Sequence, residues 1–173
     1  MSTDIVESGM NFSPCNEELR FDIEKTLLLK KINEKISRHG QGIKTVEFFF
    51  IKEKDEKKQI WAIEAKTAIC QDSHGFCSSV SEKFTDCIHL FVSAMIKRHP
   101  EYYEQIPEPF RGLTLSEEFK LILVIKNGKK SDMAIVKDAI NKALKKQAIL
   151  FGLGAMPVIV INEEQARHLQ IIQ

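Results

Sequence analysis

The segment Ile63-Glu64-Ala65-Lys66 sets a carboxylate and an amine two residues apart. Side chains along a strand alternate between faces, so Glu64 and Lys66 point the same way. Upstream, from Lys44 to Ile51, the run TVEFFFI is β-branched and aromatic. It reads as a strand on which Glu47, Phe49 and Ile51 share one face. A charged turn, Lys52 to Lys58, joins it to a second strand, Gln59 to Ala68. If that turn centres between Asp55 and Glu56, Glu47 faces Glu64, Phe49 faces Ala62 and Ile51 faces Ile60. Apolar then meets apolar everywhere except at the carboxylate pair, and a slip of one residue would throw Glu47 onto the other face. Like charges opposed across strands destabilise a sheet, so something must compensate them. A divalent cation does this, and hard oxygen donors suit Mg²⁺ or Mn²⁺. Lys66 is then placed to orient an attacking water or to neutralise charge gathering on a phosphate. Without metal the carboxylates should repel, so Glu64→Gln is expected to leave the fold intact or to raise its melting temperature. The bland alternative is an exposed hairpin on which Lys66 merely pairs with a carboxylate. Phe49, Ile51, Ile60 and Ala62 favour a covered face instead.

Val46-Glu47, a hairpin and then Ile63-Glu64-Ala65-Lys66 resemble the core of the PD-(D/E)xK superfamily, the restriction-endonuclease-like nucleases. In that pattern an acidic residue near one strand is followed by an acidic-x-Lys triplet on the next. The resemblance implies a Mg- or Mn-dependent nuclease hydrolysing phosphodiester bonds, with nucleic acid, DNA or RNA, as its partner. By resemblance Glu47 and Glu64 are the acidic pair that holds the metal, and Lys66 is the catalytic lysine. Many members add a Glu from the preceding helix. Glu24, on an apolar stripe with Phe21 and Leu28, takes that catalytic place. The chain departs from the pattern in having no Pro before Glu47 and a Glu where Asp is usual. These departures support an alternative class: a catalytically silent domain of the same fold, binding protein or nucleic acid.

These residues need a scaffold. Ser13-Pro14 predicts a helix start. Leu19, Ile23, Leu27, Leu28, Ile32 and Ile36 recur at helical spacing, and His39-Gly40 predicts the stop. Gln71 to Ser79 reads as a polar loop. Ser79 with Glu82 reads as a capping box that opens a helix with Phe84, Ile88, Phe91, Val92 and Met95 on its apolar face. Glu101 to Gly112, interrupted by prolines, reads as an irregular connection. Phe119 to Ile125 is an almost wholly apolar strand, as at a sheet centre. Ser131-Asp132 caps a helix reaching about Phe151, Pro157 to Ile161 is a further strand, and Asn162 caps a short last helix. This order predicts an α/β fold, a central mixed β-sheet with a β-hairpin, flanked by helices on both faces. The resemblance makes that fold restriction-endonuclease-like. Residues 1–12 read as a flexible N-terminus ahead of a single domain, 13–173.

Bulk properties narrow the function classes. With 173 residues and 43% of them hydrophobic, the chain has ample material for one core. A net charge of +1 provides no global basic field, so any grip on a polyanion must come from local lysines. The candidates for nucleic-acid binding are Lys129 and Lys130 after the central strand and Lys145 and Lys146 on the late helix. Each pair is either a solvated face or part of a basic groove, and phosphate contacts need only a few such residues. Cys70-x3-His74-x2-Cys77 departs from the paired-cysteine spacing of structural zinc. Four cysteines without a secretory leader read as free thiols in a reducing, cytoplasmic setting. No apolar run is long enough to span a bilayer, so no membrane partner is expected. Small free-standing members of the resembled superfamily often need a second chain for substrate contacts. A protein partner or a homodimer is therefore expected beside the nucleic acid.

Overall fold

Phe48 to Ile51 and Ile60 to Ala65 are buried without a gap, so alternate side chains of this hairpin feed two separate cores. The computed structural model describes residues 5–12, 16–36, 40 and 42–173, with Lys54 described by its backbone only. Among the described residues seven strands form two sheets: β1 (Val6–Glu7), β2 (Met10–Asn11), β3 (Arg20–Phe21), β4 (Phe48–Lys54), β5 (Lys57–Lys66), β6 (Glu118–Ile125) and β7 (Val158–Asn162). The main sheet runs β3-β4-β5-β6-β7, and β1 with β2 makes a separate hairpin. Pairing is antiparallel from β3 to β5 and parallel from β5 to β7, so the sheet is mixed.

The register is the expected one: Phe49 pairs with Ala62 and Ile51 with Ile60. Asp55 and Glu56 form the two-residue turn, both with positive φ (51° and 61°). That conformation matches the twist of the flanking strands.

The helices are α1 (Leu27–Ile36), α2 (Ser73–Met95), α3 (Glu108–Arg111), α4 (Lys130–Ala143), α5 (Lys145–Leu150) and α6 (Glu163–His168). On one sheet face Phe49, Ile60, Ala62, Leu121 and Leu123 pack with Phe84, Ile88 and Phe91 of α2 and Val136 and Ile140 of α4. The Phe49 and Phe91 rings lie 4.7 Å apart. On the other face Phe48, Phe50, Trp61 and Ile63 meet Met10, Phe12, Ala166, Ile171 and Ile172. Residues 5–12, expected to be a flexible arm, are thus part of this second core. Phe12 is wholly buried, its ring edge-on to Phe48 at 5.4 Å.

Two helices begin elsewhere than expected. The first begins only at Leu27, because Arg20 and Phe21 pair with Phe50 and Phe49 as an edge strand. Thr26 starts it, its hydroxyl accepting from Leu29 N–H at 3.3 Å. The expected start at Ser13-Pro14 and stop at His39 lie outside the described residues, as does Cys15. The second helix begins seven residues early, at Ser73, capped by Asp72, which accepts from Gly75 N–H at 2.9 Å. A Cβ at Gly75 would collide with that capping carboxylate. The 100–112 connection holds a 3₁₀ turn and the short α3. The late helix divides at Leu144 into α4 and α5. Cys70, Cys77 and Cys87 are free thiols. No described helix is long and apolar enough to cross a membrane.

Candidate functional site

Glu64 lies near the carboxyl end of β5, in the parallel ladder beside Leu123. Open α/β sheets take their ligands at the carboxyl ends of strands. Its side chain is wholly buried. A lone ionised carboxylate there would cost several kcal/mol, but two ammonium groups meet it. Lys66 Nζ lies 2.7 Å from Oε1. Lys83 Nζ, from α2, donates to Oε1 at 2.8 Å and to Oε2 at 3.1 Å. The side chains of Lys66 and Lys83 are 33% and 23% exposed, so both reach Glu64 from a wet rim. Two lysines of the chain itself thus answer the Glu64 charge that a divalent cation was expected to compensate, and the Lys66–carboxylate pair of the bland alternative is present, on a covered face.

Lys83 escaped sequence reasoning, although its position carried a signal. It stands three residues after Val80 and four before Cys87, on the buried stripe of α2. A lysine at such a place must meet a buried acid or reach out to water. Burial works against its charge, yet the hydrogen bond and charge of Glu64, with help from Glu47 and Glu24, hold its pKa above the ordinary lysine value. Cys87, one turn on, is fully buried, and its thiol donates to Phe84 C=O at 3.2 Å. Burial and then the Glu64 charge push its pKa well up, so it stays a thiol.

Glu47 immediately precedes β4 and is half-buried. Its N–H donates to Ile63 C=O at 3.0 Å, one step beyond the Phe48–Ile63 pair that ends the ladder. The Glu47 carboxylate has no ion-pair or hydrogen-bond partner among the described residues. Burial first and the Glu64 charge second raise its pKa to about 7, with Lys83 opposing them only in part. Glu7 and Glu24 add to the upward push. Glu24 sits on an exposed 3₁₀ turn (Ile23–Lys25) rather than on a helix, but within electrostatic reach of both Glu47 and Lys83. Glu7 belongs to the β1–β2 hairpin, whose Gly9 C=O accepts from Lys126 Nζ at 2.8 Å.

Glu7, Glu24 and Glu64 thus all act on Glu47, while Lys66 and Lys83 both pair with Glu64. Glu47 and Glu64 offer the hard oxygen donors that Mg²⁺ and Mn²⁺ take, and Mg²⁺ commonly needs only one or two carboxylates with waters completing its shell. Among the described residues no three His, Cys, Asp or Glu side chains converge into a closed metal cage.

The basic residues divide between the two ends of the sheet. Lys126 follows β6 and its N–H donates to Lys66 C=O at 2.9 Å. Lys129 and Lys130, both exposed, open α4 at this same end. The 14 residues of α4, about 21 Å of helix, then run back toward the start of β7. Lys145 and Lys146, exposed on α5, consequently lie at the opposite end from Glu64. The structure gathers Glu47, Glu64, Lys66 and Glu24, sets Lys129 and Lys130 at their end of the sheet, and leaves Lys145 and Lys146 apart. No protein-family model, no curated protein and no solved structure matches the chain.

Proposed function

We propose that this protein is a metal-dependent nuclease of restriction-endonuclease-like architecture, hydrolysing phosphodiester bonds in nucleic acid. The observation that carries the reading is Glu47: a half-buried carboxylate with no ion-pair or hydrogen-bond partner among the described residues, close to the buried Glu64 at the carboxyl end of a central strand. Glu47 and Glu64 would hold Mg²⁺ or Mn²⁺, which supplies Lewis acidity and an acidified water when bound. Glu64 presents its carboxylate from a rigid strand, and the sheet fixes its direction. Lys66, two residues on and one-third exposed, faces the solvent side, where a phosphate would arrive. Its ammonium neutralises charge that grows on the phosphate during attack. Glu24 rims the site and repels a second anion rather than ligating. Lys129 and Lys130 are the residues of this end best placed to hold backbone phosphates.

A second reading rests on a specific observation. Both Glu64 oxygens already have ammonium partners, as in a silent domain whose acidic pair has become structural. Cleavage assays separate the two. Purified protein with Mn²⁺ is tested on single- and double-stranded DNA and RNA, alongside Lys66→Ala. The nuclease reading expects cleavage of at least one substrate, reduced on the order of 10²-fold in Lys66→Ala with affinity nearly unchanged. Metal-independent binding with no cleavage of any substrate supports the silent domain.

A further inference from the structure

Lys83 holds Glu64 in a way that Lys66 does not. Lys66 touches one oxygen, whereas Lys83 spans both at 2.8 and 3.1 Å, where a cation chelated by that carboxylate would sit. It arrives from α2, the helix packed over this sheet face, and its side chain is 23% exposed, so solvent is within reach of its tip. A four-carbon stem lets an ammonium leave such a position without moving the backbone. Glu47 and Glu24, both within electrostatic reach of Lys83, give it somewhere to go.

We infer that Lys83 is a built-in competitor for the metal position: its ammonium occupies Glu64 in the metal-free protein and must leave before a divalent cation binds there. This rests on the proposed metal site. Lys66 is on Oε1, whereas Lys83 reaches Oε1 and Oε2 together, the position a chelated cation would take, so the Lys83–Glu64 pair and the metal compete for it and each weakens the other by the same factor. The pair also answers a stability problem. Without Lys83 the metal-free protein would bury Glu64 against one lysine, beside the uncompensated Glu47. Lys83 thereby keeps the apo protein folded and sets the cation concentration at which the site loads. A solely structural lysine would stay on Glu64 whether or not metal was present.

Calorimetric titration with MnCl₂ tests this on wild type, Lys83→Met and Lys83→Arg, and a Mn²⁺-bound crystal structure of wild type completes it. Removing the competitor should tighten Mn²⁺ binding by about tenfold or more. A guanidinium grips a carboxylate through two parallel hydrogen bonds, so Lys83→Arg should weaken Mn²⁺ binding. In the Mn²⁺-bound protein Lys83 Nζ should lie beyond about 4 Å from both Glu64 oxygens, outside ion-pair distance. Equal or weaker binding by Lys83→Met, or a Lys83–Glu64 pair intact beside bound Mn²⁺, overturns the exchange while leaving the metal site standing. No Mn²⁺ binding by any of the three proteins overturns the metal site, and the exchange with it. Should Lys83→Met fail to fold, Lys83→Arg and the Mn²⁺-bound structure decide: Mn²⁺ binding by Lys83→Arg as tight as wild type contradicts the inference.

Discussion

A carboxylate sealed inside a sheet must be answered by cations, and Glu64 is paired twice while Glu47 has no ion-pair partner among the described residues. This asymmetry makes the two acids behave differently under mutation. Glu64→Gln removes the shared partner of Lys66 and Lys83, leaving two half-wet ammonium groups unpaired. Metal-free stability should fall by about 1–3 kcal/mol in urea unfolding, contrary to the neutral or stabilising effect expected from carboxylate repulsion alone. Glu47 behaves oppositely. Its folded pKa, about 7, lies above the ordinary carboxylate value, so the folded state favours the protonated form. Its stability contribution is therefore full below the unfolded pKa and is lost as pH rises through about 7. Urea midpoints measured in chelator should decline from pH 5 to pH 8, and Glu47→Gln should flatten that decline. A slope unchanged in Glu47→Gln would assign the decline to other groups. Both acids and Lys66 were legible in the sequence because a strand's alternation fixes which residues share a face. Lys83 was not, because its meaning depends on α2 crossing the strand over Glu64, a juxtaposition with no local trace beyond a lysine on an apolar stripe.

At the scale of elements, the β4–β5 hairpin was readable in full, down to its register. Apolar partners on both faces and a two-residue turn admit only one alignment. Asp55 and Glu56 pay for that turn with left-handed backbone, a conformation that costs non-glycine residues about 1–2 kcal/mol each. Glu56→Gly should consequently stabilise the protein by about 0.5–1 kcal/mol in chemical denaturation, with Mn²⁺ affinity unchanged, since the turn lies at the far end of the strands from Glu64. A loss of stability would mean that the Glu56 side chain makes a compensating contact. Helix boundaries were less readable, for tertiary reasons. Leu19 and Ile23 keep helical spacing with Leu27 and Ile32, but Phe21 gains more by pairing with Phe49 and packing on its ring at 6.3 Å. The start of α2 was hidden because Ser79 and Glu82 imitate a capping box, whereas Asp72 with Gly75 provides the working cap.

Across the whole molecule, charge is arranged by the two ends of the parallel strands rather than by net excess. Lys126, Lys129 and Lys130 share the end that holds Glu47 and Glu64, and α4 carries the chain away to Lys145 and Lys146. Composition alone could not separate these groups, since both are lysine pairs at helix starts. If nucleic acid enters at the carboxyl end, Lys129→Ala with Lys130→Ala should weaken binding and flatten its salt dependence, and Lys145→Ala with Lys146→Ala should do neither. Fluorescence anisotropy across a salt series reads both effects, and the reverse pattern would move the binding face to α5. The two cores, one beneath α2 and α4 and one beneath the N-terminal hairpin and α6, make the hairpin that bears the acids the rigid centre of the molecule. Such a centre can hold two carboxylates against their mutual repulsion until a cation joins them. Thermal unfolding of wild type and Glu47→Gln, in chelator and in millimolar Mn²⁺, tests that claim most directly, because a ligand that binds only the native state raises its melting temperature. The account predicts that Mn²⁺ raises the melting temperature of wild type and leaves that of Glu47→Gln unmoved; a wild type indifferent to Mn²⁺, or an equal rise in both proteins, would contradict it.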